Sequence, residues 1–174
     1  VPHPLILVCT HGRHDACCSV RGNQVSRLAC NAYPGLAWEC SHIGGDRFAA
    51  NVVCFPHGVY YGRVGPAELV DVVEAYGKGW LALEHYRGRS AFPFDVQAAE
   101  YFLRRDHHLL GIGEVKLEGF ERTGNSVEAT FQVPQGQANV HVKVLPGTEK
   151  YRLTCGAEHV SAIPSYELVS CSIA

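Results

Sequence analysis

Leu5-Ile6-Leu7-Val8-Cys9-Thr10-His11-Gly12-Arg13-His14-Asp15-Ala16-Cys17-Cys18 is the stretch that decides the fold. Leu5 to Cys9 is wholly apolar and strand-sized, which fits a buried strand. It stops at a polar, histidine-rich loop running from Thr10 to Cys18, so the strand delivers its last residue, Cys9, to a site. Asn23 to Ala32 then places Val25, Leu28 and Ala29 at helical spacing, with Asn23 as the cap and Pro34-Gly35 as the stop. Leu36 to Cys40 is a second strand, and it too runs straight into a loop, His42-Ile43-Gly44-Gly45-Asp46. Two strand ends therefore present ligand-type residues.

Further on, Val52 to Phe55 and Val59 to Val64 flank Pro56-His57-Gly58 and should pair as an antiparallel hairpin. Gly65-Pro66 opens a helix over Glu68 to Lys78, where Leu69, Val70, Val73 and Tyr76 recur along one face. The order β-α-β-β-α describes an α/β domain of the thioredoxin-like kind, with helices layered on a mixed sheet. Tyr86 to Pro93 is basic and turn-rich and reads as a linker, followed by a helix over Asp95 to Arg105. After Gly111 short strands take over, at Ser126 to Val133, Asn139 to Leu145, Tyr151 to Cys155 and Tyr166 to Ile173. The expected organisation is a domain over residues 1–85, a linker and helix over 86–110, and a C-terminal antiparallel β extension over 111–174.

Of the 174 residues, 47% are hydrophobic and 18% charged, so a core forms without metals or disulfides to hold it, and any bound metal is expected to be functional. Fifteen basic against seventeen acidic residues leave a net charge of -2 with no basic block, which argues against nucleic acid and anionic membranes as partners. The longest apolar runs are far below the roughly 20 residues that span a bilayer. Val1 to Val8 lacks the charged and small-residue marks of a secretion signal, and a cytoplasmic setting is expected. With no Met in the chain, the true start is expected to have been lost, through trimming, proteolysis or a missing upstream segment.

Eight cysteines and ten histidines stand out, because these side chains are the preferred ligands of zinc, iron and iron–sulfur centres. Cys9, Cys17, Cys18, Cys30, Cys40 and Cys54 crowd the first third, whereas a disulfide scaffold would spread them evenly. Eight residues separate Cys9 from Cys18. Structural zinc sites favour cysteine pairs about two to four residues apart, while the longer loop can wrap the larger inorganic core of an iron–sulfur cluster. His42 and Asp46 form a second pair across Gly44 and Gly45, which have no side chains to obstruct a cluster and whose N–H groups can donate to its sulfides.

Cys9-Thr10-His11 through Asp15 to Cys18, followed by His42-Ile43-Gly44-Gly45-Asp46, resembles the sucrase/ferredoxin-like family, a branch of the thioredoxin-like ferredoxins. The resemblance is good over Leu5 to about Val64, looser from Tyr86 to Phe102 and weak in the β tail. It implies a [2Fe–2S] cluster in which Cys9 and Cys18 hold one iron and a second pair holds the other. In fungal members both residues of that pair are histidines, one matching His42. Asp46 stands where the second histidine would be, which leaves the fourth ligand open between Asp46, Cys17 and Cys40. Imidazole in place of thiolate makes a cluster less negative and easier to reduce, so an intermediate to high potential is expected, with a pH dependence if a histidine proton leaves on oxidation.

His11 and His14 are read as hydrogen-bonding groups near the ligands, and Arg13, Asp15 and Arg47 as charges that pin the loops. Cys30 and Cys54 are read as small buried hydrophobes, Cys155 and Cys171 as packed thiols or a disulfide, and His107-His108 as a solvated helix end. Tyr60, Tyr61 and Arg63 are either a docking edge or one face of the hairpin. The function expected is electron transfer to a protein redox partner, without enzymatic turnover. The alternatives are a structural zinc protein and a thiol–disulfide enzyme, the latter disfavoured because no C-x-x-C occurs. A sugar-cleaving enzyme is set aside for want of a carboxylate pair.

Overall fold

The computed structural model describes residues 4–13, 16–154 and 156–174. His14, Asp15 and Cys155, to which roles were assigned above, lie outside the described residues. The chain divides into two compact units, residues 1–89 with 151–161, and residues 90–150 with 162–174.

In the first unit, β1 (Leu5–Cys9) is followed by α1 (Ala16–Ala32), β2 (Ala37–Cys40), a 3-10 turn (Asp46–Phe48), β3 (Val52–Phe55), β4 (Val59–Tyr61), α2 (Leu69–Gly77) and β5 (Tyr86–Arg89). The sheet order is β2-β1-β3-β4-β5, which puts the most apolar strand near its middle. β1 and β2 are parallel, with Ile6 opposite Ala37 and Cys9 opposite Cys40. Parallel strands need a crossover, and α1 supplies it. The remaining neighbours are antiparallel, β1 with β3, β3 with β4 and β4 with β5. This is the mixed sheet expected for a thioredoxin-like domain.

Parallel pairing has a direct consequence for the site. The carboxyl ends of β1 and β2 point the same way, so the loops that follow them open side by side, as they do around ligand sites in other α/β sheets.

Two expectations need correction here. The first helix starts at Ala16, seven residues before the Asn23 cap read from the sequence, so Cys17 and Cys18 are helical. Its buried positions, Cys18, Gly22, Val25 and Ala29, recur at the helical period, and packing against the sheet overrides the poor intrinsic helicity of Ser19 and Gly22. Tyr86 to Arg89, read as linker, is the fifth strand, with Tyr86 and Gly88 buried and the arginines between them half-buried. Of the two readings left open for Tyr61, its full burial favours the hairpin face over the docking edge.

The second unit is built from α3 (Phe94–His107), β6 (Lys116–Thr123), β7 (Ser126–Val133), β8 (Gly136–Leu145) and β11 (Ser165–Ile173). A short ladder of β9 (Lys150–Tyr151) and β10 (Ser161–Ala162) marks where the chain leaves and re-enters it. The four-stranded antiparallel sheet has the order β11-β8-β7-β6. Val127, Ala129, Phe131 and Val133 alternate inward along β7, as do Ala138, Val140 and Val142 on β8, and together they pack against Val96, Ala99 and Leu103 of α3. A fully buried ion pair, Arg104 with Glu100 at 2.9 Å, closes the end of α3. Arg104 also donates to the carbonyls of Leu109 at 2.7 Å and Gly111 at 3.0 Å, which satisfies most of its guanidinium. His107 and His108 are exposed, as expected of a solvated helix end. No helix among the described residues is long and apolar enough to cross a membrane.

Candidate metal centre

Cys9 closes β1, Cys18 stands in the first turn of α1, and His42 and Asp46 lie on the loop after β2. The donor atoms of Cys9, Cys18 and His42 all fall within 4.8 Å of one another. Both cysteines are fully buried, and His42 is partly open. Asp46 is 4% exposed and joins the group through one oxygen, Oδ1, which accepts from Cys18 Sγ at 3.3 Å and lies 3.3 Å from His42 Nδ1. Four of the five residues read from the sequence as ligands are therefore brought together. The fifth, Cys17, is buried in the same cluster with its sulfur already engaged. Cys40 packs at the edge of that cluster as a free thiol, outside the converging group.

Two backbone features make the convergence possible. A Cβ at Gly22 would run into the Cys9 carbonyl, so only glycine lets α1 come down on the end of β1 and bring Cys18 to Cys9. Gly44 and Gly45 have φ of 83° and 78°, left-handed conformations that side chains disfavour, and they turn the loop so that His42 and Asp46 face inward.

Burial pushes the Cys18 thiol far above the ordinary range, and its neighbours Cys9 and Asp46 push in the same direction. Without a cation the thiol stays protonated and donates to Asp46. A bound metal would reverse this balance, because a ligating thiol is deprotonated and the cation would supply the compensating positive charge. Cys40, raised to about 11 mainly by burial, and Cys54, raised to about 12 by burial, are held as inert thiols.

Two residues missed in the sequence organise this site. Asn51 is fully buried; its Nδ2 donates to the Gly45 carbonyl at 3.0 Å and reaches Cys18 Sγ at 4.0 Å, while its own carbonyl accepts from the Cys9 N–H at 3.0 Å. Arg87 on β5 donates to Asn51 Oδ1 at 2.8 Å. One asparagine before a strand carries no sequence signal beyond that of a turn residue. Among the described residues Arg47 pins its loop to no carboxylate; its guanidinium stacks on the Phe48 ring, 4.3 Å from the centroid.

Two soft thiols, an imidazole and a carboxylate converging in a buried pocket fit a thiophilic metal or an iron–sulfur centre.

The chain is 33% identical over 98 residues to altered inheritance of mitochondria protein 32 of Meyerozyma guilliermondii, a match covering 48% of this chain and 34% of that protein. The protein of the same name from Debaryomyces hansenii is 33% identical over 99 residues, covering 48% of this chain and 35% of its own length. The chain thus spans about a third of the curated relatives it matches. Among solved structures, it is similar to a thioredoxin-like [2Fe–2S] ferredoxin from Aquifex aeolicus, with 20% identity, coverage of 53% of this chain and 97% of that one, and a TM-score of 0.46. A second structure of that ferredoxin, the wild type, gives 18% identity, 51% and 100% coverage, and a TM-score of 0.44. The model of the sucrase/ferredoxin-like family matches residues 2–88, half of the chain and all of the elements that carry the site. The chain belongs to the sucrase/ferredoxin-like family.

Proposed function

We propose that this protein binds a [2Fe–2S] cluster and passes electrons to or from a protein redox partner, without turning over a substrate itself. The observation that carries the reading is the convergence of Cys9, Cys18 and His42 within 4.8 Å, with Asp46 Oδ1 beside two of them. Cys9 and Cys18 would hold one iron, and His42 and Asp46 the other. Bound there, the cluster supplies a one-electron couple.

The chain's own residues set the conditions for that couple. Burial of both cysteines keeps water from the sulfurs, and the half-open His42 is the edge nearest solvent. Asn51 ties the glycine turn to the end of β1, which would limit rearrangement of the donors on a change of oxidation state. A small reorganisation suits electron transfer. A cytosolic setting belongs to the proposal.

The same donor set would also satisfy one zinc ion, whose ligands are cysteine, histidine and aspartate in a tetrahedron. Metal and sulfide analysis of protein prepared anaerobically with iron and sulfide present separates the two. About two irons and two sulfides per chain are expected. One zinc with no sulfide would replace the electron carrier with a structural zinc protein.

A further inference from the structure

Phe48 lies beside the metal centre with three guanidiniums around its ring, Arg47 and Arg87 at 4.3 Å from the centroid and Arg63 at 5.3 Å. Arg21 adds a fourth positive group nearby, donating to the Ala49 carbonyl at 3.4 Å. Among the described residues, none of the three ring-stacked arginines forms an ion pair with a carboxylate. The protein as a whole is negative, at -2, so this positive patch runs against its overall balance.

The arrangement is unfavourable in the free protein. Three guanidiniums share one ring, so their like charges lie close together and repel. Arg63 has a φ of 57°, a left-handed conformation rare for a residue with a side chain, and its N–H donates to the Phe48 carbonyl at 2.7 Å. An incoming carboxylate would relieve the mutual repulsion, and the Phe48 ring holds the guanidiniums in place to receive it.

We propose that Arg47, Arg63 and Arg87 around Phe48 form the docking point for an acidic surface of the redox partner, a proposal that rests on the electron-carrier reading. Arg47 directly follows the ligand-type residue Asp46, so a partner seated on it lies next to the centre. Arg63 is the exposed member that meets the partner first, and Arg87 links the patch inward through Asn51.

The test is stopped-flow reduction of the cluster-loaded chain by an acidic flavodoxin hydroquinone at low and high salt, with dithionite as a small-molecule control. Two net-negative proteins repel, so without a docking patch the rate rises with salt; docking through the arginines makes it fall. The parent should be slowed by salt. R47Q/R63Q should be roughly ten-fold slower at low salt, with its salt dependence reversed, while R47K/R63K keeps the parent's sign. Dithionite should reduce all three alike, showing that each is folded and loaded. A parent rate that rises with salt, or an R47Q/R63Q rate equal to the parent's, overturns the docking and leaves the carrier reading standing. A parent that dithionite does not bleach overturns the carrier reading and the docking with it.

Discussion

Gly22 on α1 lies against the backbone carbonyl of Cys9 at the end of β1, with no room for a side chain between them. The obstacle is backbone, which cannot swing aside as a flexible side chain would. Gly22→Ala should therefore push α1 off the sheet at the point where Cys18 meets Cys9. A destabilisation of about 1–3 kcal/mol is expected, with lowered iron content. Thermal melting and metal analysis on the same preparations check both, and an alanine variant with the parent's melting temperature and iron content would refute the packing argument.

Asp46 is the one carboxylate of the converging group. Replacing a negative ligand by a neutral one favours the reduced state. Asp46→His should retain the cluster and raise its potential by on the order of 100 mV. Redox titration of the visible spectrum measures the change. An unchanged potential would mean that Asp46 does not ligate.

Asn51 makes its contacts in a fully buried position, so truncation leaves the Gly45 carbonyl and the Arg87 guanidinium short of a partner. Asn51→Ala should cost about 1–3 kcal/mol by urea unfolding, and should make the cluster more labile to chelators. If both are unaffected, the turn holds its shape without Asn51.

These contacts show where the sequence was readable and where it was not. β1, β3 and β7 announce themselves through unbroken or alternating apolar residues, because their burial is set by strand periodicity alone. The converging residues are legible because thiol, imidazole and carboxylate side chains at two strand ends have few other reasons to cluster. The first turns of α1 are hidden by Gly22, a poor helix former that is there for close approach and not for helicity. β5 is hidden because Tyr86-Arg87-Gly88-Arg89 alternates tyrosine and glycine with arginines, and its inward role depends on Asn51, a distant residue. β6 is missed for a similar reason, being almost wholly exposed with an irregular register around Leu117 and Gly119.

In the second unit, Arg122 donates to both carboxylate oxygens of Asp95, at 2.6 and 2.9 Å, and the Val96 N–H adds a third bond at 2.9 Å. The Arg122 hydrogen bonds are the main cause holding Asp95 below its ordinary 3.8. A carboxyl whose pKa is depressed by folding stabilises the fold above its unfolded value, and that contribution disappears as pH falls through the folded value. Arg122→Gln should therefore melt below the parent at neutral pH, with a gap that is constant down to about pH 5 and closes in more acid solution. A gap that widens in acid contradicts the pairing.

The central claim is a [2Fe–2S] cluster with histidine on one iron. The measurement that tests it most directly is pulsed EPR of the dithionite-reduced protein, prepared anaerobically, beside a sample with 15N-labelled histidine. A rhombic signal appearing only on reduction, with a nitrogen coupling that changes on labelling, is the predicted result. A reduced signal with no histidine coupling, or no signal from a protein loaded with iron and sulfide, would contradict it.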